Sequence, residues 1–312
     1  VSDIEAVRNA AERALGAGIT DMRSVCGGEL NDAYALELAD GRRLFLKTSP
    51  GAQLGSFIAE GAGLSWIADA DGGPLVPGVV AVVDANELPA SGEAAPSQAP
   101  RMLILSWVTT AAMSGGAAER LGRELANLHR AGAPAHGAPP PAVRGASEAM
   151  FLGPIGFQAN SDPALSWPEV YANLRVLPVA RLAHERGALP GGGLRMVESL
   201  CGRLHELSGP AEPPSRLHGD LWGGNVIANS FGVPYLIDPA AYGGHREVDL
   251  AMLRLFGGPG ERCFAAYQEA YPLSDGHRER VALWQLFPTL LHAALFGGGY
   301  GPRAVQIAKR YL

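Results

Sequence analysis

The segment Arg216-Leu217-His218-Gly219-Asp220-Leu221-Trp222-Gly223-Gly224-Asn225, with Tyr235-Leu236-Ile237-Asp238-Pro239 shortly after it, limits the architecture of this chain more than any other. It reads as strand, polar loop, strand, turn, strand, with an aspartate, an asparagine and a second aspartate gathered at strand ends. Asn225 and Asp238 could ligate a hard divalent cation through oxygen, which leaves Asp220 free to accept a proton. Phosphoryl transfer from a Mg-nucleotide to a hydroxyl requires that division of labour. The H-x-D-x-x-x-x-N spacing is moderately specific alone and strong with the aspartate that follows.

The rest of the chain divides by periodicity. Ile4, Val7, Ala11, Ala14 and Leu15 fall at helical spacing within residues 2–15, with Ser2 as N-cap. Period-two patterns then predict strands over Met22–Cys26, Tyr34–Leu38 and Arg43–Lys47, with a hairpin turn at Ala39-Asp40-Gly41. A helix is expected over 55–69, and strands over Val79–Asp84 and Met102–Val108, joined by a Pro/Ser/Ala-rich connection. Beyond that the pattern turns helical: Ala118–Arg130, Trp167–Glu185, Leu194–Leu207, Val248–Phe256, Arg262–Tyr271, His277–Phe296 and Arg303–Tyr311. The expected fold is α+β and two-lobed. Residues 1–106 form a small antiparallel five-strand lobe with one main helix, and 107–312 a larger, mainly helical lobe. A hinge near Ser106-Trp107 leaves a cleft between them that suits a nucleotide.

Within that frame Lys47, ending an apolar strand, could neutralise nucleotide phosphates, with Glu60 on the following helix pairing to it. An edge-strand lysine and a solvated glutamate are the alternative. Gly27 and Gly28 could bring backbone amides against phosphate, although a glycine pair is weak evidence in a chain with 41 glycines. His218 is read as a brace for the Asp220 loop, and Asp249 as a cap or a clamp on that loop's amides. Trp222, beside Asp220, could stack on a sugar face or serve as a packing residue. His245 and Arg246 could face the substrate or pair with local acids. Asn160, Trp167 and Arg175 are candidates for an acceptor pocket, with a core tryptophan and a surface arginine as equal alternatives.

A balance of 25 Lys+Arg against 31 Asp+Glu, with no basic block, argues against a nucleic-acid partner. No apolar run reaches membrane-spanning length, and the first residues lack the basic and apolar regions of a signal peptide. Three scattered cysteines, Cys26, Cys201 and Cys263, suit neither a disulfide framework nor a zinc site, and a cytoplasmic setting is expected.

Taken together, these residues resemble the fructosamine kinase (ketosamine-3-kinase) family, in the aminoglycoside phosphotransferase-like branch of the protein-kinase-like fold. The likeness runs through Gly27-Gly28-x-x-Asn31, Leu46-Lys47, Glu60, Leu121-Gly122 to His129, Leu217-His218-Gly219-Asp220-Leu221-Trp222-x-Gly224-Asn225, and Ile237-Asp238-Pro239 to Gly244-His245-Arg246-Glu247-x-Asp249. It spans about residues 20 to 300. The Leu-Trp after Asp220 and the Gly-His-Arg-Glu-x-Asp run carry the family character. The H-G-D-x-x-x-x-N element alone is shared with choline, homoserine and aminoglycoside kinases. Two features depart: Leu105-Ser106-Trp107 lacks an expected hinge glutamate, and the insert near 89–100 has no family counterpart. The resemblance implies ATP- and Mg2+-dependent phosphorylation of the sugar 3-hydroxyl of ketosamines, after which the phosphorylated adduct would decompose spontaneously and free the amine. A kinase for an aminoglycoside, choline or a free sugar is the runner-up, and a silent kinase-like ATP-binding protein the alternative from another class. The amine moiety and the oligomeric state stay open.

Overall fold

The computed structural model describes residues 3–25, 31–49, 52–84, 100–143 and 148–312. The first lobe runs α1 (Ile4–Leu15), β1 (Ile19–Ser24), β2 (Asp32–Leu38), β3 (Arg43–Thr48), α2 (Ser56–Ala68), β4 (Val79–Val83) and β5 (Met102–Ser106). Its strands form an antiparallel sheet in the order β1-β2-β3-β5-β4. Asp3 caps α1 instead of Ser2, which lies outside the described residues. The Asp3 Oδ1 accepts from the backbone N–H of Glu5 at 3.1 Å and of Ala6 at 3.4 Å, satisfying two donors that the first turn leaves unpaired.

Alternation along β3 decides where Lys47 goes. Leu44 and Leu46 face α1 and join Val7, Ala11 and Ile104 in one cluster. Phe45 takes the opposite face, toward Phe57 and Leu64 of α2, and Lys47, two residues on, shares that face. Glu60 stands three residues after Phe57 and four before Leu64, so it shares their side of α2. Strand and helix periodicity thus aim the two charges at each other.

The second lobe contains β6 (Thr110–Ala111), α3 (Gly115–Arg130), β7 (Glu148–Leu152), β8 (Ile155–Gln158), α4 (Trp167–Val170), α5 (Leu177–Glu185), α6 (Gly193–Cys201) and α7 (Leu204–Leu207). It continues with β9 (Ser215–Leu217), β10 (Val226–Asn229), β11 (Pro234–Leu236), β12 (Tyr242–Gly244), α8 (Glu247–Leu255), α9 (Glu261–Ala270), α10 (His277–Trp284), α11 (Leu286–Phe296) and α12 (Tyr300–Arg310). The β7–β8 hairpin and β6 were not expected from the sequence.

Three expected helical runs are not regular throughout: Leu194–Leu207 splits into α6 and α7 at Gly202-Arg203, and the other two are altered by prolines. The helical run Trp167–Glu185 is continuous but widens into a π turn over Tyr171–Val176. Pro178 cannot donate to the carbonyl of Leu174, and the Arg175 guanidinium supplies that bond instead at 3.0 Å. Likewise Pro288 withholds an N–H from Trp284, and the run His277–Phe296 breaks at Gln285. The buried Tyr171 hydroxyl donates to the carbonyls of Leu283 and Trp284 at 3.1 and 3.2 Å. No described helix is long and apolar enough to cross a membrane.

Candidate active site

Two short antiparallel pairings build the floor of the cleft. β12 pairs with β9 through Tyr242↔Leu217, and β10 with β11 through Val226↔Leu236. They carry the loops after Leu217, Trp222 and Leu236 to one place. The backbone there is tight. Gly219 has φ 83°, and a Cβ on it would sit 2.0 Å from the Ala240 carbonyl oxygen, so only glycine fits. Asp238 is the one non-glycine residue with positive φ, 54°, among the described residues, a conformation that costs about 1–3 kcal/mol and clusters at functional sites.

Asp220, Asn225, Asp238, Lys47, Glu60 and Trp222 all line one cleft of about 990 Å³. The Lys47 ammonium lies 2.7 Å from Glu60 Oε2 and 3.2 Å from Asp238 Oδ1, so it bridges the two lobes. Burial would lower its pKa, but the two carboxylates outweigh that and raise it. Lys47 is therefore a fixed cation. Asn225 Nδ2 donates to the Asp220 backbone carbonyl at 2.8 Å and to its Oδ2 at 3.0 Å. Burial pushes the Asp220 carboxyl up to about 7 against that bond, with Asp238 and Asp249 adding to the rise.

His218 is buried beneath the loop. Its Nδ1 accepts from the Asp220 backbone N–H at 3.2 Å, so the proton sits on Nε2, which donates to the Ile237 carbonyl at 2.9 Å. Burial lowers its pKa and keeps the ring neutral. Asp249, at the start of α8, accepts from the backbone N–H of His218 at 2.7 Å and of Gly219 at 3.0 Å. His129 Nε2 stands 3.3 Å from Asp249, and its Nδ1 is 2.8 Å from the Tyr267 hydroxyl. Trp222 is 38% exposed, and its ring lies over Gly224, where a Cβ would come within 2.2 Å of it.

Several expected contacts fall elsewhere. His245 and Arg246 are buried and do not line the cleft. Arg246 pairs with both oxygens of Glu212, at 2.7 and 2.8 Å, and donates to the carbonyls of Tyr271 and Pro272. His245 stacks on Trp284 at 5.5 Å. Both therefore serve the interior rather than a substrate, because an acid distant in sequence, Glu212, closes the pair. Asn160, Trp167 and Arg175 are buried as well: the Asn160 amide donates to the His136 and Asp162 carbonyls, and Arg175 lies over the Tyr242 ring at 4.6 Å. Gly27, Gly28 and Cys26 lie outside the described residues. Met150 to Pro154 of the β7–β8 hairpin, with Phe256, His292, Phe296 and Tyr300, also line the cleft. Their part in the cleft is not legible in the sequence, because apolar residues of a short hairpin and of helix ends look like core and His292 lies within the apolar helix α11.

The two lobes, the lysine–glutamate bridge and the Asp-Asn-Asp loop define a phosphotransferase of the protein-kinase-like class. A choline kinase from Streptococcus pneumoniae shares that fold at TM-score 0.61 and 13% identity, over 99% of this chain and 98% of that one. The family model for fructosamine kinase matches residues 4–312, and the chain belongs to that family. A solved structure from Thermobifida fusca YX-ER1 that carries the fructosamine-3-kinase name is 38% identical, with TM-score 0.83 and 98% of both chains covered. The ketosamine-3-kinase of Mus musculus is 30% identical over 301 residues, covering 91% of this chain and 92% of that protein.

Proposed function

We propose that this chain transfers the γ-phosphoryl group of Mg-ATP to a sugar hydroxyl of a ketosamine, as a fructosamine or ribulosamine 3-kinase does. One observation carries the reading: a half-buried carboxylate, Asp220, stands in the same cleft as a lysine fixed by two acids. Asp220 accepts the proton of the acceptor hydroxyl and orients its oxygen toward the phosphorus. Its raised pKa, about 7, suits it to hold that proton transiently. Lys47, held by Glu60, meets the phosphate charge. Gly27 and Gly28 would add backbone amides to it.

The donor set suits Mg2+. The Asn225 amide nitrogen is engaged by Asp220, which leaves its carbonyl oxygen for a cation, and Asp238 offers a carboxylate whose side chain is 38% exposed. Two protein donors leave the remaining positions to phosphate and water, the usual manner of nucleotide-bound magnesium. When bound, the ion would neutralise phosphate charge. His218 and Asp249 hold the loop rather than touch substrate, and Trp222 offers a face for the sugar. We assign 1–106 to the nucleotide-clamping lobe and 107–312 to the catalytic lobe, since β5 ends at Ser106. Buried free Cys201 and Cys263 suit a cytoplasmic setting.

A polycationic aminoglycoside acceptor is disfavoured, because the only acids in the described cleft lining are Glu60, Asp220 and Asp238. ADP release with Mg-ATP should be measured on fructosyl- and ribulosyl-lysine beside kanamycin, choline and fructose. Turnover confined to the ketosamines supports the reading, and turnover on one of the others alone refutes it.

A further inference from the structure

Helix α8 has a cavity on each side. Met252 and Phe256 line the catalytic cleft, whereas Glu247, Leu250, Ala251 and Arg254 line a second cavity of about 590 Å³ that α9 and α10 enclose. The spacings i, i+3, i+4 and i+7 put those four on one helix face, with Met252 and Phe256 opposite. The two cavities share no lining residue, and the second is built wholly from residues 247–284. Its volume suits a small ligand, for which about 300–1,000 Å³ is usual. The interior is apolar: Leu250 and Ala251 are buried at the floor, with Phe264, Leu273 and Val281 half-buried around them. Most of the lining charge is already committed. Glu247 accepts from Arg280 at 2.6 and 2.9 Å and from the Trp284 indole at 2.7 Å. Glu261 pairs with Arg254 at 2.7 Å, and Glu269 with Arg123 at 3.7 Å. His277 directs Nδ1 to the Ser274 carbonyl at 3.1 Å. Arg278, on the exposed side of α10, forms no ion pair with a described residue. It lies near Glu261, but the Arg254 hydrogen bond is what chiefly holds that carboxyl below its usual range.

We infer that this second cavity binds a small amphipathic anion, its hydrocarbon body against Leu250, Phe264 and Val281 and its carboxylate at Arg278. The body gains by leaving water, and the carboxylate meets the one mouth cation that has no acid of its own. An ammonium in the same place would face Arg278, with Glu261 and Glu269 already taken. The site also touches the mount of the catalytic loop. Tyr267 lines it, and its hydroxyl lies 2.8 Å from His129 Nδ1, whose Nε2 is 3.3 Å from Asp249. Asp249 accepts the amides of His218 and Gly219. An occupant packed on the Tyr267 ring braces that chain of bonds from behind.

The test is calorimetry on the full chain with octanoate, acetate and octylammonium. Octanoate should bind with a Kd of about 1 mM or tighter. Acetate, which lacks the body, and octylammonium, which carries the wrong charge, should bind more weakly. Ala265, exposed on α9, lines the cavity, so Ala265→Trp should fill it and abolish octanoate binding without changing the melting temperature or ATP affinity. Arg278→Glu should weaken octanoate and strengthen octylammonium, each by up to about fivefold for an exposed pair, a gain that misfolding cannot imitate. Bound octanoate should also slow hydrogen exchange at the His218 and Gly219 amides. No octanoate binding at about 10 mM, equal binding in Ala265→Trp, or no change of preference in Arg278→Glu overturns the site. Unchanged amide exchange with octanoate bound overturns its link to the catalytic loop.

Discussion

Replacing Asp249 with asparagine should cut stability and turnover together. Its side chain is almost fully buried, and it accepts three bonds: from His218 N at 2.7 Å, Gly219 N at 3.0 Å and His129 Nε2 at 3.3 Å. Asparagine keeps one acceptor oxygen. Whichever way the amide is turned, its NH2 group faces a backbone N–H that has no other partner in the loop. Weakening the charged bonds costs about 1 kcal/mol each, and orphaning one buried N–H about 1–3 more. The sum is about 3–5 kcal/mol, read as a shift in the urea-unfolding midpoint at unchanged slope. The freed amides belong to His218 and Gly219, next to Asp220. A displacement of the base of about 1 Å is enough for a loss near 100-fold in kcat. ATP affinity, which depends on Lys47 and Glu60, should change little. An Asp249→Asn protein with wild-type kcat and stability would refute the idea that this carboxylate mounts the loop.

Gly219→Ala should be more damaging, because its Cβ would collide with the Ala240 carbonyl at 2.0 Å in a backbone conformation of φ 83°; a melting temperature near wild type would contradict this, since a loss of about 3 kcal/mol or more is expected. Acidification should destabilise the protein through His136, which burial holds down to about 4. The unfolded state takes up that proton first, so stability is complete above about 6.5 and falls by roughly 1.4 kcal/mol per pH unit toward 4. Denaturant titrations of wild type and His136→Gln over that window should diverge, and parallel curves would exclude the contribution. Lys47→Met should raise the ATP Kd, measured by calorimetry, and lower kcat; unchanged ATP binding would remove Lys47 from the phosphate site.

The site was legible where one local pattern sufficed. Lys47 and Glu60 follow from strand and helix periodicity across a short connection, and Asp220 and Asn225 from a single loop. The fold was legible for the same reason, since the five strands and the long amphipathic helices each carry their own period. What escaped depends on partners far apart in the chain. Arg246 looks like a substrate group until Glu212 is seen to grip it, and the Asp249–His129–Tyr267 chain joins three helical segments. The β7–β8 hairpin is too short, and too apolar in both strands, to stand out from core. The interruptions at Leu174 and Trp284 required knowing that prolines had removed two donors and that Arg175 and Tyr171 replaced them.

The most direct measurement compares wild type with Asp220→Asn, taking kcat for ADP release on fructosyl-lysine and, separately, the Kd for Mg-ATP. Asparagine keeps the shape and cannot accept the proton. The account predicts a kcat lower by about 100- to 10,000-fold, with ATP binding largely intact. A variant that turns over at the wild-type rate would contradict it.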